Sequence, residues 1–260
     1  MQELLTDRVV LVSGGTQGLG LAIARAAGRE GAAVVITGRN SARGEVAACG
    51  LRDAGVEARF VAADVADVAS CRAAVATAVQ RYGRIDALVN SAGLTSRGSL
   101  LDTTPELFDQ HVAINLRGPF FLMQAAVRDM KRRTAGGSIV NILTIDSHGG
   151  QAVLAPYVAS KAGLAGLTKN AAHAHRWDRI RINGLNIGWT ATDQETVTQR
   201  EANGAGDDWA EQAGATLPMG KVGQVDEIAD FVVFLLSDRS GVVTGSVIDW
   251  DQNVVGALGP

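Results

Sequence analysis

Tyr157 and Lys161 stand four positions apart in the segment YVASK. On an α-helix, residues four apart lie on the same face, so the phenol and the ammonium group would be neighbours. A free tyrosine has a pKa of about 10, and a nearby ammonium group favours the phenolate and lowers that pKa. Tyr157 could then accept a proton from an alcohol or donate one to a carbonyl. Because this spacing also arises by chance on surface helices, the pair alone is a weak signal.

A glycine-rich segment, SGGTQGLG, follows the first apolar run and places Gly14, Gly18 and Gly20 in a G-x-x-x-G-x-G spacing. Glycine allows a positive φ and a close backbone approach, and a helix N-terminus offers free amides to a phosphate. A strand, this loop and a helix in succession predict a dinucleotide site. The alternative is an ordinary glycine-rich turn, because the spacing differs from the usual G-x-G-x-x-G.

The second predicted strand ends in ITGRN, which includes Gly38 and Arg39. Dinucleotide folds often have a carboxylate here, which binds the ribose 2′-hydroxyl. An arginine can instead pair with a 2′-phosphate through its planar guanidinium group. The sequence therefore favours NADP(H), with NAD(H) possible. The alternative is that Arg39 is a solvated loop charge.

Strand-like and helix-like segments alternate along the whole chain, as in RVVLVSG followed by GLAIARAAGREG. Gly31 and Gly83 are placed to end two of the predicted helices. Longer helices are predicted over Thr104 to Arg133 and over Pro156–Trp177. Repeated strand–helix units imply a parallel sheet with helices on both faces. We expect one dinucleotide-binding domain over residues 1–260.

One segment interrupts the alternation. Residues 190–216 are polar, charged and glycine-containing. Such a run between a sheet strand and the next helix is typical of a substrate lid.

Composition excludes several classes of function. The chain has 260 residues, a net charge of -3 and 5% aromatic residues. No basic field is available to attract nucleic acid, and no apolar run is long enough to span a membrane. Cys49 and Cys71 lack metal-ligand spacing, so we predict reduced thiols and no metal site. With no signal-peptide pattern at the N-terminus, we expect a soluble, cytoplasmic protein.

The motifs together resemble those of the short-chain dehydrogenase/reductase family. SGGTQGLG, AADV around Asp64, NSAG at residues 90–93, Asn115 in AINLRG, and YVASK occur in that family's order and spacing. The resemblance covers essentially the whole chain. It implies an α/β fold of the Rossmann type, a doubly wound parallel sheet of seven strands in the order 3-2-1-4-5-6-7. It also implies hydride transfer between a nicotinamide and an alcohol/carbonyl pair.

The resemblance also assigns roles to individual residues. Tyr157 becomes the general acid/base, Lys161 binds the nicotinamide ribose and Asn115 helps to hold a water of the proton relay. The alternative for Asn115 and Asn90 is backbone hydrogen bonding, and we expect both residues to combine the two roles. The residues expected to bind the cofactor are Gly14, Thr16, Gln17, Gly18, Leu19, Gly20, Arg39, Asp64, Val65, Asn90, Ala92, Gly93, Tyr157, Lys161, Gly188, Thr190 and Thr192.

Thr144 is a departure from the family pattern, because it lies thirteen residues before Tyr157, where the family has a serine that orients the substrate. A threonine keeps the hydroxyl that can donate to a carbonyl oxygen. Its methyl group stiffens χ1 and narrows the pocket. Ser147 is the rival donor, but it lies only ten residues before Tyr157. We therefore assign the role to Thr144.

Asp146 and His148 follow in a segment that usually forms a wall of the substrate pocket in the family. Two polar groups there suggest a substrate with several hydroxyls, such as a sugar or polyol. The alternative is that they hold the loop together or face solvent. Trp189 is also expected to contact substrate. Residues 250–252 could line the pocket or form a subunit contact, and the sequence does not choose between them.

The leading hypothesis is a dehydrogenase or reductase acting on a small hydroxyl or carbonyl compound. A member that binds the cofactor without catalysis, as a sensor or structural subunit, is an alternative, since Thr144 replaces serine. An epimerase or dehydratase is a further one. The family resemblance implies a homotetramer or homodimer, associating through the helices that contain Asn115 and Tyr157.

Overall fold

A computed structural model describes residues 3–256, and its centre is a parallel sheet of seven strands. The strands of the chain are β1 (Val9–Ser13), β2 (Ala33–Gly38), β3 (Ala58–Ala62), β4 (Ala87–Asn90), β5 (Gly137–Thr144), β6 (Ile180–Ile187), β7 (Thr190–Ala191), β8 (Gly223–Gln224) and β9 (Val247–Trp250). The sheet has the order β3-β2-β1-β4-β5-β6-β9, and β7 pairs with β8 separately. This confirms the predicted order, with β9 as the seventh strand.

Helices cover both faces of the sheet. They are α1 (Gly18–Arg29), α2 (Ser41–Asp53), α3 (Val68–Tyr82), α4 (Pro105–Val112), α5 (Gly118–Arg133), α6 (Ala155–His175), α7 (Asp193–Asn203), α8 (Trp209–Ala215) and α9 (Val225–Leu236). Apolar residues of α1, α2 and α9 pack in one core cluster, and those of α3, α5 and α6 pack in the other. Strands between two helical layers must be apolar on both sides, which explains continuous runs such as VVLVS in β1.

The carboxyl ends of the strands form one edge, where the catalytic candidates lie. Ser13 pairs with Asn90 across β1 and β4, the neighbours at which the strand order reverses. Further along, Thr144 pairs with Ile187, and Ile187 with Trp250. In open α/β sheets, ligands bind in the crevice at such a reversal.

The helical tract predicted from Thr104 to Arg133 is interrupted by a π-helical turn over Ala113–Arg117. Thr104 caps α4 by accepting a hydrogen bond from the amide of Leu107, at 3.2 Å. Pro119 explains the interruption, because it has no N–H to donate to the carbonyl of Asn115 four residues earlier. Single π-helical turns inside α-helices are frequent at functional sites.

The interrupting segment is itself folded. It contains β7, α7 and α8, and β7 at its start pairs with β8, which follows the segment. Thr192 caps α7 by accepting from the amide of Glu195, at 3.0 Å. Buried Trp209 and Ala213 of the segment form a small apolar cluster with Val222, which follows it.

Over residues 3–256, no helix is both long and apolar enough to cross a membrane, and no three metal-binding side chains converge. Cys49 is exposed and Cys71 is buried. Burial raises the pKa of Cys71 to about 11, which disfavours a reactive thiolate.

Candidate active site

Tyr157 and Lys161 lie in the first two turns of α6. The ammonium nitrogen of Lys161 is 5.9 Å from the centre of the Tyr157 ring. Lys161 is 4% exposed and donates a hydrogen bond to the carbonyl of Ile142, at 2.7 Å. The helix therefore places both side chains at the carboxyl end of β5.

Burial dominates the protonation of this pair. It lowers the pKa of Lys161 to about 8. It also raises the pKa of Tyr157; the Thr144 hydroxyl opposes that shift, and the charges of Asp146 and Glu195 add to it. The sequence predicts that Lys161 lowers the pKa of Tyr157. In the folded chain, burial raises that pKa instead. The folded chain favours the neutral phenol, the form that donates a proton.

Thr144 ends β5 and is 5% exposed. Its hydroxyl lies 3.1 Å from a carboxylate oxygen of Asp146 and accepts a hydrogen bond from the Asp146 amide, at 3.2 Å. The same hydroxyl lies close enough to the Tyr157 phenol to oppose the rise in its pKa. Ser147 instead donates to the side-chain oxygen of Asn186, at 3.2 Å. The structure thus brings Thr144, not Ser147, to Tyr157.

Asn115 is fully buried in the π-helical turn. Its side-chain oxygen accepts from the amide of Leu94 at 2.8 Å, and its nitrogen donates to the Leu94 carbonyl at 2.9 Å and to the Ser160 hydroxyl at 3.0 Å. The backbone-bonding role considered for Asn115 is present. It ties the loop after β4 to α6.

His111 is a buried residue of this site that the sequence analysis missed. Its ring lies edge-on to Tyr157 at 6.2 Å, and its Nδ1 is 3.3 Å from the side-chain nitrogen of Asn115. Burial lowers its pKa. The spacing of four residues between His111 and Asn115 on a predicted helix was the available signal.

The glycine loop is shaped by two close backbone approaches. Gly14 has a φ of +74°, and a Cβ there would lie 2.7 Å from the backbone nitrogen of Ala92. A Cβ on Gly20 would lie 2.2 Å from the carbonyl oxygen of Gly14. Only glycine fits at both positions. Beside the loop, a Cβ on Gly18 would be 3.9 Å from Cβ of Thr192, at the base of α7.

The ribose end of the expected cofactor site lies beside β2. Thr16 packs under Gly38, where a Cβ would be 2.8 Å from the Thr16 methyl group. Arg39 is exposed directly after β2. The side-chain oxygen of Gln17 accepts from the guanidinium of Arg43, a second arginine that the sequence analysis overlooked.

The other residues predicted to bind the cofactor differ in how much of each is exposed. Leu19 points into the core, so only its backbone is available. Asp64 is exposed and accepts from the amide of Ala66 at 2.9 Å, and Val65 packs against Gly118. Asn90 is buried and donates to Asn141 at 2.7 Å.

Gly93 lies beside both Asn115 and Lys161. A Cβ built on Gly93 would lie 3.7 Å from both the Asn115 side-chain oxygen and the Lys161 nitrogen. Over residues 3–256, Lys161 has one hydrogen-bond acceptor, Ile142, although its nitrogen carries three hydrogens when charged. Buried donors of this kind fit a hydroxyl-rich group such as a ribose, and the glycine loop fits a pyrophosphate. A bound nicotinamide would accept or donate the hydride.

Two further residues predicted to bind the cofactor, Gly188 and Thr190, come directly after β6. The Thr190 hydroxyl donates to the Gly188 carbonyl at 2.8 Å, and the Gly188 amide donates to Trp250 at 3.3 Å. A Cβ on Gly188 would lie 1.9 Å from a carboxylate oxygen of Asp251. Asp251 is therefore a further carboxylate at this edge.

The two polar residues proposed to contact substrate differ in their surroundings. Asp146 is half-buried next to Thr144, and burial raises its pKa. His148 turns to the neighbouring strands, with Nε2 at 3.0 Å from Asp249 and 3.2 Å from the side-chain nitrogen of Asn186. The loop-holding alternative describes His148, because the carboxylate of Asp249 and the amide of Asn186 engage its ring.

Trp189 connects the strand ends to the 190–216 segment. Its indole N–H donates to Glu195 at 2.9 Å, and its ring stacks on Trp209 with centroids 5.7 Å apart. Trp189 also lines a cavity of about 420 Å³ with Trp250, Asp251 and others. Residues 250–252, whose role the sequence left open, thus border a cavity.

Comparisons with known proteins agree with this geometry. The family model described as enoyl-(acyl carrier protein) reductase matches residues 14–252. L-rhamnose 1-dehydrogenase (NAD(P)(+)) from Azotobacter vinelandii is 37% identical over 249 residues, which cover 94% of each chain. The chain belongs to the short-chain dehydrogenase/reductase family. This short-chain dehydrogenase is an NAD(P)-dependent oxidoreductase that interconverts an alcohol and a carbonyl.

Two further proteins show the breadth of the similarity. Gluconate 5-dehydrogenase from Gluconobacter oxydans is 34% identical over 256 residues, or 98% of this short-chain dehydrogenase and 97% of that chain. A crystal structure of a variant actinorhodin polyketide ketoreductase with NADPH superposes with a TM-score of 0.89 at 32% identity, covering 94% of this chain and 96% of that one.

Proposed function

We propose that this short-chain dehydrogenase interconverts a sugar or polyol and the corresponding carbonyl compound, with NADP(H) as the preferred cofactor. The observation that carries the proposal is the half-buried Asp146 carboxylate beside Thr144 and Tyr157. A carboxylate accepts hydrogen bonds only, so it selects for hydroxyl groups and disfavours apolar chains or carboxylates at this position.

The relatives give independent support. L-rhamnose 1-dehydrogenase and gluconate 5-dehydrogenase are both named for substrates with several hydroxyls. Both cover nearly the full length of this chain.

Each residue of the site then has a separate role in the reaction. Tyr157 transfers the proton to or from the substrate oxygen, and Thr144 donates a hydrogen bond to that oxygen as charge develops on it. Lys161, buried with spare N–H groups, holds the cofactor ribose. Asn115 maintains the loop after β4 and positions a water of the proton relay. The 190–216 segment closes over the substrate as a lid.

The NADP(H) preference rests on two arginines. Arg39 follows β2, and Arg43 lies in the first turn of α2 against Gln17 of the glycine loop. A 2′-phosphate at this end would meet two guanidinium groups, and each can pair with it through charge-assisted hydrogen bonds.

Assembly is proposed on the exposed small residues of α6. Ala159, Ala162, Gly163 and Gly166 are all exposed, and such residues let helices approach closely. We expect a homodimer or homotetramer packed through α6 and the neighbouring α5. Light scattering coupled to size-exclusion chromatography would measure the assembly.

A substrate screen tests the function. Purified protein is mixed with NADP⁺ or NAD⁺ and a panel of aldoses, aldonates and polyols, and with the reduced cofactors and matching ketoses or an enoyl thioester. Nicotinamide absorbance reports turnover, and product analysis detects isomerised sugar. The proposal expects NADP⁺-linked oxidation of a hydroxyl compound. Turnover of the enoyl thioester alone, isomerisation alone, or cofactor binding without turnover would each contradict it.

A further inference from the structure

The hydroxyl of Thr144 is already engaged in the folded protein. Its oxygen lies 3.1 Å from Oδ2 of Asp146 and accepts the Asp146 amide hydrogen at 3.2 Å. A carboxylate cannot donate, so the hydrogen between the two oxygens belongs to the hydroxyl of Thr144. The donor that the reaction needs at the substrate oxygen therefore points at Asp146 instead.

A hydroxyl has a single hydrogen to donate. While Asp146 holds that hydrogen, Thr144 has no donor left to stabilise negative charge on the reacting oxygen. Charge-assisted hydrogen bonds of this type are roughly twice as strong as neutral ones, so a neutral carbonyl or alcohol oxygen competes poorly for the hydrogen. A substrate must therefore carry a second hydrogen-bond donor that replaces Thr144 at the Asp146 carboxylate.

Within the described residues, Thr144 is the one side-chain donor that bonds to the Asp146 carboxylate. Within residues 3–256, the other nearby donors bond to different groups. Ser147 donates to Asn186, His148 contacts Asp249, and Lys161 donates to the carbonyl of Ile142, its remaining N–H groups being those assigned above to the cofactor ribose. The replacement donor therefore comes from outside the chain.

We propose that the enzyme selects substrates with a second hydroxyl on the carbon next to the reacting one, because that hydroxyl takes over the Asp146 carboxylate and releases Thr144. The substrate class is a 1,2-diol in the oxidative direction and an α-hydroxy carbonyl compound in the reductive direction. Gauche oxygens on adjacent carbons are about as far apart as a hydrogen-bonded pair, so one can face Asp146 while the other faces Thr144 and Tyr157. The inference rests on the proposed function and narrows it.

The exchange leaves the Asp146 carboxylate with one hydrogen-bond donor before and after substrate binds. The bond from Thr144 to Asp146 breaks, and the neighbouring substrate hydroxyl donates a new one to Asp146. Thr144 then donates to the reacting oxygen. A mono-alcohol can form the last bond only by leaving the carboxylate without its donor, which is costly for a half-buried charge.

The test uses matched substrates that differ in the second hydroxyl. The pairs are cyclohexane-1,2-diol with cyclohexanol, and glucose with 2-deoxyglucose, each alongside the best substrate of the screen. kcat and KM are measured separately for the wild type, Asp146→Ala and Asp146→Asn. Circular dichroism and NADP⁺ titration establish that each variant folds and binds the cofactor.

For the wild type we expect kcat/KM to be about 10²-fold higher with the vicinal hydroxyl than without it, the size of effect that one such donor has. Asp146→Ala should bring the two substrates to within a few-fold of each other and raise the rate on the mono-hydroxy compound, because Thr144 is then free. Asp146→Asn keeps an uncharged acceptor, so its ratio of kcat/KM values should lie between the ratios of the wild type and Asp146→Ala. A role in folding alone would lower both rates together and leave their ratio unchanged.

The control variant is Asp249→Asn, which removes a carboxylate that contacts His148 and Asn186 rather than Thr144. It should leave the substrate ratio unchanged. If Asp146→Ala keeps the wild-type ratio, or the wild type shows no preference, the inference is wrong while the proposed function stands. If no hydroxyl compound of the screen turns over, both are wrong.

Discussion

The Nδ1 atom of His111 lies 3.3 Å from the side-chain nitrogen of Asn115, one helical turn further along the chain. The other ring nitrogen of His111 lies 3.1 Å from the carbonyl oxygen of Ser96. A neutral ring with its hydrogen on Nε2 fits both contacts, since it donates to Ser96 and presents the Nδ1 lone pair to the side-chain NH2 group of Asn115. A second hydrogen on Nδ1 would face the Asn115 donor and break the arrangement.

This relationship makes fold stability depend on pH. Because burial lowers the pKa of His111 below 6.5, the unfolded chain takes up the proton first as pH falls. The stabilising effect of the neutral ring is present above pH 6.5 and is lost as pH falls below it. We expect His111→Gln to show a smaller drop in unfolding free energy below pH 6.5 than the wild type, measured by urea denaturation. Parallel curves for the two proteins would contradict this prediction.

Tyr157→Phe removes the proton donor and acceptor but keeps the aromatic ring. We expect kcat to fall by about 10²–10⁴-fold, while the dissociation constant for NADP⁺ changes little. Steady-state kinetics and fluorescence titration measure the two quantities. The matched control is Tyr82→Phe at the end of α3, which should turn over like the wild type. Persistent activity in Tyr157→Phe would remove Tyr157 from its role.

Thr144→Ala tests the hydrogen-bond donor at the end of β5. Its loss should reduce kcat by about 10²–10³-fold on the preferred substrate, whereas Thr144→Ser should stay active because it keeps the hydroxyl. Ser147→Ala is the comparison, since Ser147 donates to Asn186. If Thr144→Ala matched the wild type and Ser147→Ala were inactive, the donor role would pass to Ser147.

Arg39→Ala and Arg43→Ala test the cofactor preference. If each guanidinium pairs with the 2′-phosphate, each substitution should weaken NADPH binding by about tenfold, which corresponds to about 1.4 kcal/mol, and leave NADH binding unchanged. Titration of both reduced cofactors measures the ratio. Arg25→Ala, on the exposed side of α1, is the charge-matched control. An equal loss for NADPH and NADH would argue against a 2′-phosphate contact.

Much of the fold and part of the site could be predicted from local patterns. The apolar run RVVLVSG, which ends in glycine, predicted β1, because a strand covered on both faces must be apolar throughout. The spacing of Gly14 and Gly20 reflected a backbone contact too close for any side chain. The four-residue spacing of Tyr157 and Lys161 needed only a helix to place both on one face.

Other features depended on residues that are distant in the sequence. The carboxyl ends of β5, β6 and β9 bring Thr144, Ile187 and Trp250 into one row, and no local pattern contains that register. The π-helical turn at Asn115 was missed because the sequence analysis predicted one continuous helical tract from Thr104 to Arg133 and gave no weight to Pro119 in its middle.

The sequence by itself determined the alternation of the main-sheet strands with helices, the glycine loop and the pair of Tyr157 with Lys161, because periodicity and backbone sterics act within a few residues. Only the tertiary structure decided that His148 bonds to Asp249 while Asp146 holds the hydroxyl of Thr144. It also decided the protonation of the site, since the pKa values of Tyr157 and Lys161 follow from burial under elements far along the chain. Burial and hydrogen-bond competition belong to the packed molecule, and spacing alone does not reveal them.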